Sequence, residues 1–273
     1  MQNYSTSPLE MAKSFWRNKS LIVQLSKREV LDRYRGSILG LSWSFFNPIL
    51  MLIIYTFVFS VVFKARWGTS VEESKSDFAI ILYIGLLLHG LFAECVNRSP
   101  ILITSNVSYV KKVVFPLEIL PCAAFLSALF HAAINFVVLL IAMLVLNHSI
   151  PLTALWFPLV VAPLVLATLG FSWLIASLGV YLRDVSQITA MLSTILLFMS
   201  GVFFPISALP VAYHEWLRMN PLATIIEQSR NVLAFGVTPD FSALAWLYLL
   251  GTLTAICGFA WFQKTRKGFA DVL

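Results

Sequence analysis

Long apolar runs separated by short polar or basic stretches set the pattern of this chain. Residues 38–63 carry no charged side chain and exceed the roughly 20 apolar residues that cross a bilayer core. Further runs follow at 78–95, 117–146, 156–182, 186–204 and 241–262. The second is interrupted only by His89 and Glu94, and the third is long enough to tilt or to kink at Pro121. The expectation is an all-α membrane protein of six transmembrane helices.

Before the first span, residues 1–37 read as interfacial helices. Ser7-Pro8-Leu9-Glu10 combines an N-cap, a proline at the first helical position and the acid of a capping box. Leu9, Ala12, Phe15 and Trp16 then share one side, as in an amphipathic helix lying in the membrane surface. A second helical stretch from Ser20 to about Tyr34 carries Lys27, Arg28, Arg33 and Arg35 up to the first span. These cations either anchor the chain at the interface or form a collar for phosphate groups, and the residues leave both open.

An even number of spans returns both termini to one side. The segments on that side hold most of the lysines and arginines, including Lys111, Lys112, Arg183 and the tail 263–273 with Lys264, Arg266 and Lys267. By the positive-inside rule that side is the cytoplasm. Two loops are more than connectors. In 96–116, Ser99, Pro100, Ile101, Ile103 and Asn106 fall in a stretch with helix-start chemistry, expected to form a short amphipathic helix. It would either dock into a soluble partner or lie on lipid. Residues 205–240 are apolar yet broken by Pro205, Pro210 and Asn220-Pro221, which predicts re-entrant or interfacial helices on the external side. Glu227 and Arg230 are spaced to pair there.

Composition narrows the function classes. Hydrophobic residues make up 59% of the 273 and charged ones 12%, about half of the roughly 25% usual in soluble domains. Mean hydropathy is +0.84, and the pI of about 9.3 comes from cations beside apolar runs, so lipid head groups are expected as partners and nucleic acid is not. Cys95, Cys122 and Cys257 read as small packing residues, and no apolar segment of signal-peptide type precedes Lys27. His89, His131, His148 and His214 lack metal-ligand spacing, and His131 reads as a helix–helix hydrogen-bonding group. No Walker A motif occurs, and no nucleophile–base pair is legible. The chain is therefore expected to be no enzyme and to hold no cofactor or metal. Among its 22 Phe, 8 Trp and 8 Tyr, two groups stand out: Tyr55, Phe59 and Phe63, and Phe198, Phe203 and Phe204. Lipid-facing bulk and a pore lining for sugar rings both fit that spacing.

Arg33-Tyr34-Arg35-Gly36-Ser37, Leu39-Gly40, Trp43 and Pro48 before and within the first span carry a resemblance. Leu182-Arg183-Asp184, Pro205, Asn220-Pro221-Leu222, Arg230 and the tail 264–269 extend it over nearly the whole chain. With these motifs in this order, the sequence resembles the permeases of ABC-2-type polysaccharide exporters, which carry O-antigen, capsule or teichoic acid. The resemblance implies a homodimer in the cytoplasmic (inner) membrane with two ATPase subunits, which would bind ATP and Mg. It implies a pore at the dimer interface for a polyprenyl-pyrophosphate-linked glycan, and coupling to the ATPase through the loop 96–116. The alternatives are an ABC-2 permease for a small lipid or drug, a membrane-embedded glycosyl- or acyltransferase, and an ion-driven carrier. Dispersed acids count against the transferase, and the lack of buried charges or an internal repeat counts against the carrier.

Overall fold

The computed structural model describes residues 5–58, 67, 75–111, 115–146, 149–205, 210–214, 217 and 219–273, and no strand occurs among them. The helices are α1 (Pro8–Arg33), α2 (Trp43–Tyr55), α3 (Lys75–Arg98), α4 (Val107–Val110) and α5 (Ile119–Val145). They continue with α6 (Phe157–Tyr181), α7 (Val185–Met199), α8 (Pro221–Leu233), α9 (Phe241–Thr265) and α10 (Phe269–Val272). Five stretches are long and apolar enough to cross a membrane: Gly40–Val58, Asp77–Ile101, Ile119–Val145, Leu152–Tyr181 and Phe241–Val272. They answer to five of the predicted spans. The run 186–204 appears as α7, an apolar helix of 15 residues, about 22 Å at 1.5 Å per residue. It stops at Met199, just before Gly201, which has a φ of 62°.

Helix α3 is the central pillar. Of its most apolar window 78% is buried, against 11% for α2, so α2 lies on the outside. Around the first half of α3, Ile80, Leu82 and Ile84 pack with Leu222, Ile226 and Leu233 of α8 and with Leu244 and Leu247 of α9. At the other end, Ile22 and Leu25 of α1 join Leu120, Trp173, Phe259, Phe262 and Phe269 in a second cluster. Leu91 and Cys95 of α3 meet Phe125 and Ala128 of α5 in a third. Cys122 is likewise buried, whereas Cys257 is exposed, so only two of the three cysteines act as packing residues.

Helices α6 and α9 cross at very close range because their contact is glycine. A Cβ on Gly258 would land on the Gly170 carbonyl, and one on Gly251 would lie 2.7 Å from the Pro163 oxygen. Small residues let backbones approach in this way inside membranes, where dispersion replaces the hydrophobic effect. Gly258→Val is therefore expected to cost about 1–3 kcal/mol by overpacking. The check is the thermal midpoint in detergent against Gly90→Ala, where a Cβ meets nothing within 4 Å. An equal midpoint for the two variants would show that the crossing is looser than described.

The two helices expected in residues 1–37 are one. Helix α1 runs unbroken for 26 residues, and Ser7 caps it through its hydroxyl, which accepts from the Leu9 amide at 3.2 Å. Glu10 does not close the box; it faces Arg17 at 3.6 Å. The face buried in the protein is Ser14, Ile22, Leu25, Ser26 and Val30, and Phe15 meets Trp173 edge-on at 5.8 Å. Leu9 and Trp16 stay exposed, with Lys19 over the Trp16 ring, as an interfacial anchor requires. Gly36 and Gly40, both at positive φ, turn the chain from α1 into α2. Pro121 sits in the first turn of α5, where its missing N–H costs nothing, and α5 continues as one helix to Val145.

The C-terminal tail is fixed to the same end of the bundle as α1. Arg266 Nη1 lies 2.6 Å from Glu118 Oε2, and its Nη2 donates to the Phe115 carbonyl at 2.6 Å. Glu118 Oε1 accepts from Ser14 of α1 at 2.8 Å, and its carbonyl accepts from the Trp173 indole at 2.9 Å. One buried carboxylate thus ties α1, the start of α5 and the tail together. Helix α1 and the tail thus meet at one end of the bundle.

Candidate functional site

The last turns of α1 lie along the end of α3 and build a ladder of charge. Arg33 Nη1 is 2.7 Å from Glu94 Oε1, and Arg98 lies 2.9 Å from Glu29 and 3.9 Å from Glu94. Beside the ladder is a cleft of about 430 Å³ lined by Arg28, Glu29, Asp32, Arg33, Arg98 and Ser105, among others. Burial pushes the Glu29 carboxyl up, and the Arg98 guanidinium opposes it. The Tyr109 hydroxyl, at 3.1 Å, holds the Arg28 guanidinium above its ordinary value.

The three arginines read as a collar therefore differ. Arg33 is paired, Arg28 is engaged by Tyr109 and lies 4.0 Å from Asp32, and Arg35 is exposed with no side-chain partner among the described residues. The carboxylates of Glu29, Asp32 and Glu94 balance Arg28, Arg33 and Arg98, so the ladder itself is close to neutral. The acids come from two elements and were not legible as partners, because Arg33 and Glu94 lie far apart in sequence. Next to them, the Tyr34 hydroxyl sits 3.5 Å from His131 Nδ1, with the rings edge-to-face at 5.9 Å. That contact joins the end of α1 to α5, the helix–helix role expected of His131.

The segment after α3 is a train of short turns in place of the expected amphipathic helix. Ser99–Ile101 and Thr104–Asn106 are 3₁₀ turns, and only Val107–Val110 is α-helical. Ser99 and Pro100 are buried; the Ser99 hydroxyl donates to the Cys95 carbonyl at 2.7 Å. The Pro100 carbonyl lies where a Cβ on Gly179 would be, so the glycine lets the turn seat on α6. Ile103 is fully buried in the cluster with Ile22, Leu25 and Trp173. Of the residues expected to couple, Ile101 is 55% exposed, while Asn106 is half-buried and donates to the Leu102 carbonyl at 2.9 Å; Ser105 and Ser108 are also exposed.

The aromatic groups also divide. Tyr55 and Phe203 pack against the core around α3, Phe204 is half-buried, and Phe198 is exposed with its ring 5.4 Å from that of Phe203. Phe59 and Phe63 lie outside the described residues.

At the far end of the bundle, α8 is held down by its own polar residues. Asn220 caps it, accepting from the Leu222 amide at 3.0 Å, and donates to the Met199 carbonyl and the Ser200 hydroxyl at the end of α7. Arg230 is buried and does not make the expected pair with Glu227. Its Nε donates to the Ile81 carbonyl at 3.0 Å, Nη1 to Gly201 at 2.8 Å and Nη2 to Val202 at 2.9 Å. Its guanidinium carbon lies 4.1 Å from the Trp67 ring centre. The carbonyls of the turn after α7 and of Ile81 hold the guanidinium inward, and Glu227 stays at the surface.

This geometry holds a set of apolar helices, two of them poorly covered, between a charged end and a capped far end. It contains no group of three or more metal-ligating side chains among the described residues. Residues 20–234 match the model of the ABC-2 type transporter family. The chain is 27% identical over 269 residues to the O-antigen export system permease protein RfbA of Myxococcus xanthus, covering 96% of this chain and 99% of that protein. It is 24% identical over 254 residues to the RfbA of Klebsiella pneumoniae, covering 93% and 95%. With the polysialic acid transport protein KpsM of Escherichia coli the identity is 24% over 261 residues, covering 94% and 98%. With most of its length matched by that family model, this multi-span helical chain belongs to the ABC-2 type transporter family.

Proposed function

We propose that this chain is the membrane permease of an exporter that moves a polyprenyl-pyrophosphate-linked polysaccharide, driven by a separate ATPase that holds ATP and Mg. The observation that carries this reading is the end-to-end similarity to permeases named for O-antigen and polysialic acid transport. The chain works as a homodimer in the cytoplasmic membrane with its pore between the copies. In that assembly α2 and α7, which leave Trp43, Phe46, Ile53, Met191 and Phe198 exposed, offer apolar faces to lipid or to the second copy. Both termini lie in the cytoplasm, on the side of the charge ladder. There Arg35, the collar arginine without a partner, meets the pyrophosphate head group, with Arg28 beside it. Deleting the gene should abolish glycan at the cell surface, and the intact chain should restore it and co-purify with an ATPase. Surface glycan that persists without the chain would sink the proposal.

The coupling surface follows from what is exposed on the turns after α3. Ile101→Asp leaves the fold intact and is expected to reduce glycan-linked ATP turnover severalfold. Ile103→Asp buries a charge in the cluster under α1 and is expected to prevent folding. Normal export and turnover by Ile101→Asp, at matched membrane levels, would remove this segment as the coupling element.

A further inference from the structure

Glu227 and Asn231 lie one turn apart on the outer side of α8, and neither side chain has a hydrogen-bond or ion-pair partner among the described residues. Both line a cleft of about 200 Å³ whose walls include Trp67, Phe235 and the edge of Arg230. We propose that this cleft is a binding subsite for a single neutral sugar ring at the far end of the bundle, an inference that rests on the polysaccharide reading above.

The mixed charge of the walls selects the ligand. A simple anion would meet the Glu227 carboxylate, and a simple cation would meet Arg230, so either ion leaves a like charge in contact. A polyol satisfies both signs at once. Its hydroxyls donate to the carboxylate and to the Asn231 carbonyl oxygen, and they accept from the Asn231 amide and from guanidinium N–H groups. Arg230 has such groups to spare, because three of its five N–H bonds go to the carbonyls of Ile81, Gly201 and Val202. Those same bonds fix the guanidinium, and Asn220 fixes the start of α8, so the polar groups are held in place before a ligand arrives. Phe235, 48% exposed, supplies an apolar wall for the C–H face of a ring. The volume takes one ring, so the subsite holds a polymer one residue at a time. Weak binding of that kind suits a chain that must move on.

The test uses the full chain in lipid nanodiscs and saturation-transfer NMR with methyl pyranosides, neutral and uronic, and with inorganic phosphate as competitor. Saturable binding of a neutral pyranoside is expected, weakened about tenfold or more in Glu227→Gln/Asn231→Ala by the loss of charged and neutral hydrogen bonds. Glu227 is exposed and Asn231 half-buried, and an unchanged thermal midpoint confirms that the variant folds. No saturable binding, equal binding by the variant, or displacement by phosphate overturns the subsite. Glycan export in cells is measured in parallel. Export by the native chain together with any of those NMR results rejects the subsite and keeps the permease reading. No export by the native chain rejects the permease reading, and the NMR result then decides the subsite alone.

Discussion

Arg230→Ala is expected to unfold the far end of the bundle, at a cost of about 3 kcal/mol or more. Three carbonyls on two segments lose a charged donor at once; that of Ile81 keeps its helical N–H, but those of Gly201 and Val202 lie outside any helix, and each buried acceptor left unpaired costs roughly 1–3 kcal/mol. The void left beneath Trp67 adds to this. Arg230→Lys is expected to fall close behind, because one ammonium cannot span Ile81 of α3 and Gly201–Val202 after α7. Thermal unfolding in nanodiscs checks the magnitude, and hydrogen exchange over residues 221–233 checks the location. Stability of Arg230→Lys equal to the native chain would mean that charge alone, and not the planar fork, holds α8. Glu227→Gln should leave stability nearly unchanged, since Glu227 is exposed and makes no bond to Arg230.

That contrast marks where sequence reading stops. Spacing placed Glu227 and Arg230 on one helix face and suggested a local pair, but the stronger acceptors are carbonyls from Ile81 and from the end of α7, far off in the chain. The spans themselves were legible, since hydropathy and length decide them and α3, α5, α6 and α9 fall within a few residues of expectation. The short α7 was not, because its break at Ser200–Gly201 lies inside an apolar run with no charge to mark it. Helix α1 was split in expectation, with a second helical stretch beginning at Ser20. In the fold the helix does not break there, and Asn18 donates to the Ser14 carbonyl at 2.9 Å. The collar was legible as positive charge and not as a neutralised ladder, since Glu29 reads as part of the same basic helix and Glu94 as part of a span. The loop after α3 was expected as an amphipathic helix, and the structure has 3₁₀ turns there with Ser99, Pro100 and Ile103 buried. Which of Ile101 and Ile103 faces outward depended on Gly179 admitting the Pro100 carbonyl, a contact between helices that no local pattern encodes.

Glu118→Gln and Arg266→Met are each expected to destabilise the α1 end by about 3–5 kcal/mol, because each removes one charge of a buried pair. The two side chains are 9% or less exposed, so solvent does little to screen what remains. The double variant is expected to be more stable than the sum of the single losses predicts. Removing both charges removes the desolvation cost that the pair itself carries, and the amide oxygen introduced by Glu118→Gln would still accept from Ser14. The Trp173 bond goes to the Glu118 main chain and should survive in every variant. Thermal midpoints of the four proteins give the coupling, and limited proteolysis at Lys264 and Lys267 reports whether the tail has come away. Strict additivity, with a tail equally resistant in all four, would mean that Phe269, fully buried against Phe262 and Tyr181, holds the tail without help from the ion pair. A favourable coupling with early cleavage in both single variants would identify Glu118 as the residue through which α1 and the tail are joined to the bundle. Force applied to α1 by a soluble partner would then reach the tail through that carboxylate as well as through the apolar contacts of Ile22 and Leu25 with Leu120, Phe259 and Phe262.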